Sequence, residues 1–180
     1  MANLMLRLHQ QHKNIARLLV LLDESLTPLD RGENADFRLV GDIVHYLCTY
    51  PDLCHHRWED RIFARLVERD PASAGAVQGL ETEHDSLRQV GHDLSQLVRG
   101  IVGGGITPVD RLLSTANRYT ALSREHLQRE ESTVFPRLAE VLSAADWEAL
   151  AAAAEAQDPL FGAVVDHTYQ DLYRAIERAR

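Results

Sequence analysis

Apolar positions recur at helical spacing through four long stretches of the chain. From about Asn3 to Leu26, the residues Leu4, Leu8, Ile15, Leu19, Leu22 and Leu26 fall on one stripe, and His12 fills the gap between Leu8 and Ile15. Thr27-Pro28 is expected to end this helix, and the residues up to Asn34, with Gly32, read as a turn. A second stripe runs from about Ala35 to Arg69 through Val40, Ile43, Val44, Leu47, His55, Ile62 and Leu66. Pro51 stands in its middle and predicts a kink, because the ring removes a donor and crowds the preceding turn. The third stretch, about Gly75 to Val102, carries Val77, Leu80, His84, Leu87, Gly91 and Leu94, and Gly103-Gly104-Gly105 stops it. Thr107-Pro108 opens the fourth, which runs to about Val141 through Leu112, Tyr119, Leu122, His126, Glu130, Val134 and Leu138.

Beyond it the pattern shortens. Ser143 is placed to cap an Ala-rich helix reaching about Ala156, Asp158-Pro159 breaks it, and Gly162 to Arg180 reads as a last amphipathic helix. No stretch alternates with the period of a strand. The expected fold is therefore all-α: an up-down-up-down four-helix bundle over residues 1–142, with two additional C-terminal helices over 143–180 packed on it.

Composition narrows the possible partners. In 180 residues the net charge is −8, which disfavours nucleic acid or an anionic membrane surface as a partner. No apolar window reaches the length of a membrane span. Cys48 and Cys54, six apart on one helix, face poorly matched directions for a disulfide, which fits a reducing cytoplasm. Neither a dinucleotide fingerprint nor a nucleophile triad stands out.

The chemistry lies in the histidines on the apolar stripes. His55 and Glu59 are four apart, as are His126 and Glu130, so each pair shares a helix face, and each is followed by an aliphatic-Phe pair. Counted from the end where the first and third helices start, His12, His84, Glu59 and Glu130 all lie roughly 13 to 17 Å deep, with His55 and His126 about one turn deeper. Buried carboxylates need a cation, so the set predicts a metal site. The expected ligands are His12, His55, Glu59, His84, His126 and Glu130, with the two glutamates bridging two ions. Imidazole and carboxylate in this ratio suit iron, with manganese or zinc as weaker alternatives. His56 and Asp60 are also four apart, but the walk along the stripe favours His55 and leaves His56 as a candidate extra ligand on the shoulder. His45, His92 and His167 lie off the common level, and His9 sits one turn before His12.

His12, the run His55-His56-Arg57-Trp58-Glu59-Asp60 with Ile62-Phe63, the Glu83-His84-Asp85 element and His126 to Glu130 with Val134-Phe135-Pro136 resemble the hemerythrin-like, or HHE cation-binding, family from about Leu4 to Val141. The resemblance implies a non-haem di-iron centre in a four-helix bundle that binds or senses oxygen, nitric oxide or peroxide. Oxygen-carrying members use five histidines and two carboxylates, whereas four histidines and two glutamates match here. The remaining histidine is expected four residues from His84, where Leu80 and Arg88 stand, leaving water, His56 or His9 to complete one ion. The alternative is a di-iron enzyme consuming peroxide or oxidising ferrous iron, and a third reading is a single structural metal. The oligomeric state is not indicated.

Overall fold

The computed structural model describes residues 2–152 and 158–178. Among these there is no strand. The first helix, α1, spans Ala2–Asp30. It does not stop at Pro28, contrary to expectation, because a proline in the last turn forfeits only one intrahelical bond. The stop comes at Gly32, whose φ of 72° turns the chain into the left-handed region. There the Glu33 N–H bonds the Pro28 carbonyl and the Gly32 N–H bonds that of Leu29, a Schellman closure.

The second long helix is broken, as Pro51 requires. It comprises α2 (Phe37–Leu47), a π-helical turn (Pro51–His55) and α3 (His56–Arg69). The Asp36 carboxylate caps it, accepting from the N–H groups of Arg38 and Leu39. Pro51 has no N–H to offer the Leu47 carbonyl, and the Tyr119 hydroxyl donates to that carbonyl instead, at 2.9 Å. Tyr119→Phe is thus expected to cost roughly 1–2 kcal/mol, read as a lower urea midpoint.

The third helix, α4, spans Ala74–Val102 and closes on Gly104 at φ 81°. The fourth consists of α5 (Val109–Arg129), a second π-helical turn (Glu130–Val134) and α6 (Phe135–Val141). Pro108 is its N-cap residue and does not enter the first turn.

Neighbour packing closes a ring, with α1 on α2 and α5, and α4 on α2, α3 and α5. The core falls into two parts. One joins Ile15 to Leu26, Val40 to Tyr50, Leu87 to Val98 and Leu112 to Tyr119; the other joins Leu4, Leu8, Trp58 to Leu66, Val77, Leu80 and Val134 to Leu142. The chain therefore runs up, down, up and down, and a layer of polar side chains separates two apolar halves.

The C-terminal elements reach both halves. Helix α7 (Ala144–Ala152) packs on α3, sinking Trp147 and Leu150 into the second part of the core. Ser143 and Asp146 cap it reciprocally, the Asp146 N–H on Ser143 Oγ and the Ser143 N–H on Asp146 Oδ2. The expected continuation to Ala156 lies outside the described residues. The last helix is shorter than the pattern suggested: after a 3₁₀ turn (His167–Tyr169), α8 covers Gln170–Arg178 and packs on α2. Asp166 takes the Thr168 N–H and so starts the helix late, after two β-branched valines that favour it little.

Candidate metal centre

Four helical rods present polar side chains to the layer between the apolar halves. Glu59 and Glu130 are both fully buried, and His12, His55, His56, His84 and His126 are buried beside them. His12 Nε2 lies 3.3 Å from Glu59 Oε1 and 3.3 Å from Glu130 Oε2. His55 Nε2 is 3.3 Å from Glu59 Oε1, and His126 Nε2 is 3.4 Å from Glu130 Oε1. His84 Nε2 faces His126 Nε2 at 3.1 Å and stands 4.0 and 3.9 Å from the two glutamates. All six residues singled out in the sequence thus converge.

His56 is not on the shoulder of this layer. Its ring stacks on that of His84 with centroids 4.1 Å apart, and it shares a donor group with Glu59, His84 and His126. A second donor group comprises His12, His55 and Glu59, so Glu59 belongs to both. His9 stays outside, half-exposed, with Nδ1 3.6 Å from Glu131. His45, His92 and His167 are exposed and belong to neither donor group.

The hemerythrin HHE cation-binding domain model matches residues 5–138, well over half the chain. This chain belongs to that family. No curated protein matches it.

The hemerythrin donors fit a cation on their own evidence. His55 Nε2, Glu59 Oε2 and both Glu130 carboxylate oxygens are buried with no hydrogen-bond partner in the protein, and all belong to the cluster. Left uncompensated, such groups are costly, and a cation is the partner their chemistry calls for. Burial, and then the neighbouring acids Asp60 for Glu59 and Glu59 for Glu130, push both carboxyls well above their ordinary range. Burial, reinforced by neighbouring imidazoles, holds His55 well below its ordinary value and pushes His126 down to about 2. His55 and His126 therefore stand ready as neutral ligands, whereas the two acids hold their protons more tightly than ordinary carboxyls and must give them up to a cation.

Two local features of the backbone aim these groups. Each His-Glu pair adjoins a π-helical turn, one ending at His55 and the other starting at Glu130, and each turn lies against a proline. A π turn inserts an extra residue and rotates the helix beyond it, and His55 and His56, where the first of these turns meets α3, are both buried in the layer.

The far nitrogens of the histidines are also held. Gln11 Oε1 lies 3.2 Å from His55 Nδ1, Asp60 Oδ1 3.3 Å from His84 Nδ1, Glu83 Oε2 3.0 Å from His126 Nδ1, and Glu131 Oε1 3.1 Å from His12 Nδ1. With Nδ1 of His55, His126 and His12 carrying the proton toward Gln11, Glu83 and Glu131, Nε2 of these rings keeps its lone pair for a metal, while Asp60 stands at ion-pair distance from His84 without a hydrogen bond. Each holder sits next in sequence to a ligand-type residue of its own helix and serves the neighbouring helix: Gln11 beside His12, Asp60 beside Glu59, Glu83 beside His84, Glu131 beside Glu130. From the sequence Asp60 is visible only as a partner for His56, and Gln11 and Glu131 carry no assigned role. The available signal is an amide or acid directly adjoining His12, Glu59, His84 and Glu130.

Three of the holders are acids and Gln11 is neutral, itself positioned by its Nε2–H donating to the Tyr50 hydroxyl at 2.8 Å. Gln11→Leu is expected to weaken metal binding by roughly 10- to 100-fold, measured by chelator competition, with circular dichroism unchanged.

Proposed function

We propose that this protein is a non-haem di-iron protein that binds or senses a small oxidant of the oxygen, nitric oxide or peroxide class. The observation that carries the reading is the pair of donor groups meeting at Glu59. His12, His55 and Glu59 would hold one ion; His56, Glu59, His84 and His126 the other; and Glu130, within 3.4 Å of donors from both groups, would span them. That makes five imidazoles and two carboxylates, a set that suits iron ahead of manganese or zinc. Bound ions of this kind supply a reversible change of oxidation state and a coordination position open to a small ligand.

The residues of the chain account for the rest. Neutral histidines bring no charge, so the glutamates offset the cations. The two apolar halves of the core restrict water on either side of the layer, which strengthens each electrostatic contact within it. Gln11, Glu83 and Glu131 fix the ring planes of His55, His126 and His12 by hydrogen bonds.

Elemental analysis is expected to find two iron ions per chain, and the ferrous-loaded protein is expected to develop new visible absorption with oxygen or nitric oxide. Fewer than one ion per chain, or a spectrum indifferent to all three ligands, would defeat the reading. Sustained turnover of peroxide would distinguish catalysis from stoichiometric binding.

A further inference from the structure

Beside His56 and His126 lies a small cavity of about 20 Å³, whose wall combines Ile15, Leu47, Leu87 and Leu127 with Tyr119 and Ser123. A volume of that order admits one water-sized molecule. The break at Pro51 helps to make this space, because α2 ends at Leu47 and both residues line it. Outside, α2 and α4 flank a surface groove of about 580 Å³. Cys48 lines both the cavity and the groove, so its side chain forms part of the wall between them.

Facing Cys48 across this wall is Gly91 of α4. A Cβ built on Gly91 would lie 3.1 Å from Cys48 Sγ and 3.1 Å from Tyr119 Cε2, tighter than ordinary contact. Gly91 has an ordinary helical backbone, so its missing side chain matters here for space, not for conformation. We propose that Cys48 and Gly91 form the gate through which a small neutral diatomic molecule passes from the α2–α4 groove into the cavity beside His56 and His126.

The lining selects the occupant. A chamber this small strips water from whatever enters, and none of its lining residues is an acid, a lysine or an arginine, so ions are penalised and an uncharged diatomic is favoured. Arg38 and Arg88 of the groove pair with Asp171 and Asp85, and Asp42 lies beside Arg99 in its lining, so its charge selects neither sign and the discrimination falls to the chamber. The identity of the ligand rests on the di-iron function proposed for the centre; the existence of the gate does not.

Two substitutions act in opposite directions. Gly91→Ala narrows the passage and Cys48→Ala widens it, while Cys48→Leu narrows it from the other side and serves if Gly91→Ala does not fold. In stopped-flow mixing of the ferrous-loaded protein with nitric oxide, the narrowing variants are expected to associate roughly tenfold more slowly and Cys48→Ala faster. Dissociation should change in parallel, so that Kd moves by less than about twofold, since a gate alters the barrier and not the end states. Xenon exchange followed by NMR should rank the variants in the same order with or without metal. If nitric oxide gives no signal in any variant, the proposed function fails and the xenon ranking alone decides the gate. Equal xenon exchange in all variants, or a Kd that shifts while the rates of entry do not, would overturn the proposal.

Discussion

Replacing Glu59 by glutamine is expected to strip the protein of most of its metal while raising the melting temperature of the metal-free form. Both donor groups meet at this carboxylate, which has no solvent exposure, so no other side chain can substitute for it without repacking the layer. Without a cation the same group is a burden. Burial and the nearby Asp60 push its pKa well upward, and a raised pKa means that its contribution to stability is intact below the unfolded value and is lost as pH climbs through the folded one. Glutamine keeps the shape and removes the ionisation, so the metal-free variant should gain about 1–3 kcal/mol under alkaline conditions and less under acid ones. Elemental analysis paired with melts of stripped protein at two pH values tests both halves. A variant that retained two ions would refute the shared-ligand assignment.

Removing the ions from the unaltered protein is expected to lower its melting temperature by about 10 °C. A ligand at a thousandfold excess over Kd contributes ~4 kcal/mol, and a chain of this size shifts roughly 2–4 °C per kcal/mol. The pH dependence of uptake should be distinctive. Glu59 and Glu130 keep their protons to higher pH than ordinary carboxyls and must release them to a cation, whereas His126, pushed down to about 2, and His55, well below its usual value, have none to lose at neutral pH. Binding should therefore release protons, and affinity should rise with pH until both acids are ionised in the metal-free protein, with no inflection from these two histidines near 6.5. Calorimetry in buffers of different ionisation enthalpy counts the protons. In the metal-free protein the two classes pull in opposite directions. The depressed histidines contribute stability above about 6.5 that is lost as pH falls through their folded values, while the raised glutamates contribute below about 4.5 and lose that contribution as pH rises.

The four rods were legible because each carries its apolar stripe over many turns, and the order His12, His55, His84, His126 is written on those stripes. Local interruptions were read less evenly. Pro51 announced its kink, yet Pro28 did not end α1, since its effect depends on how much helix remains after it. The pattern after Gly162 suggested helix, but Asp166 competes for the backbone donors of the next turn. The stripe favours His55 and leaves His56 only as an extra ligand on the shoulder, because the walk back from His56 meets Thr49 and Asp52 where that from His55 meets Leu47 and Cys48. The π turn that ends at His55 follows Pro51 and has no periodic signature. The oxygen atoms behind the histidines lie between helices, and a stripe pattern taken one helix at a time cannot reveal them.

Those oxygens have a collective consequence. Gln11 reaches from the first rod to the second, Asp60 from the second to the third, Glu83 from the third to the fourth, and Glu131 from the fourth back to the first, so the attachments form one hoop around four staves. A stave sliding along its axis would strain its links on both sides at once. The girth of the cage is thereby set by protein before any ion arrives, and a cation enters a frame already drawn tight.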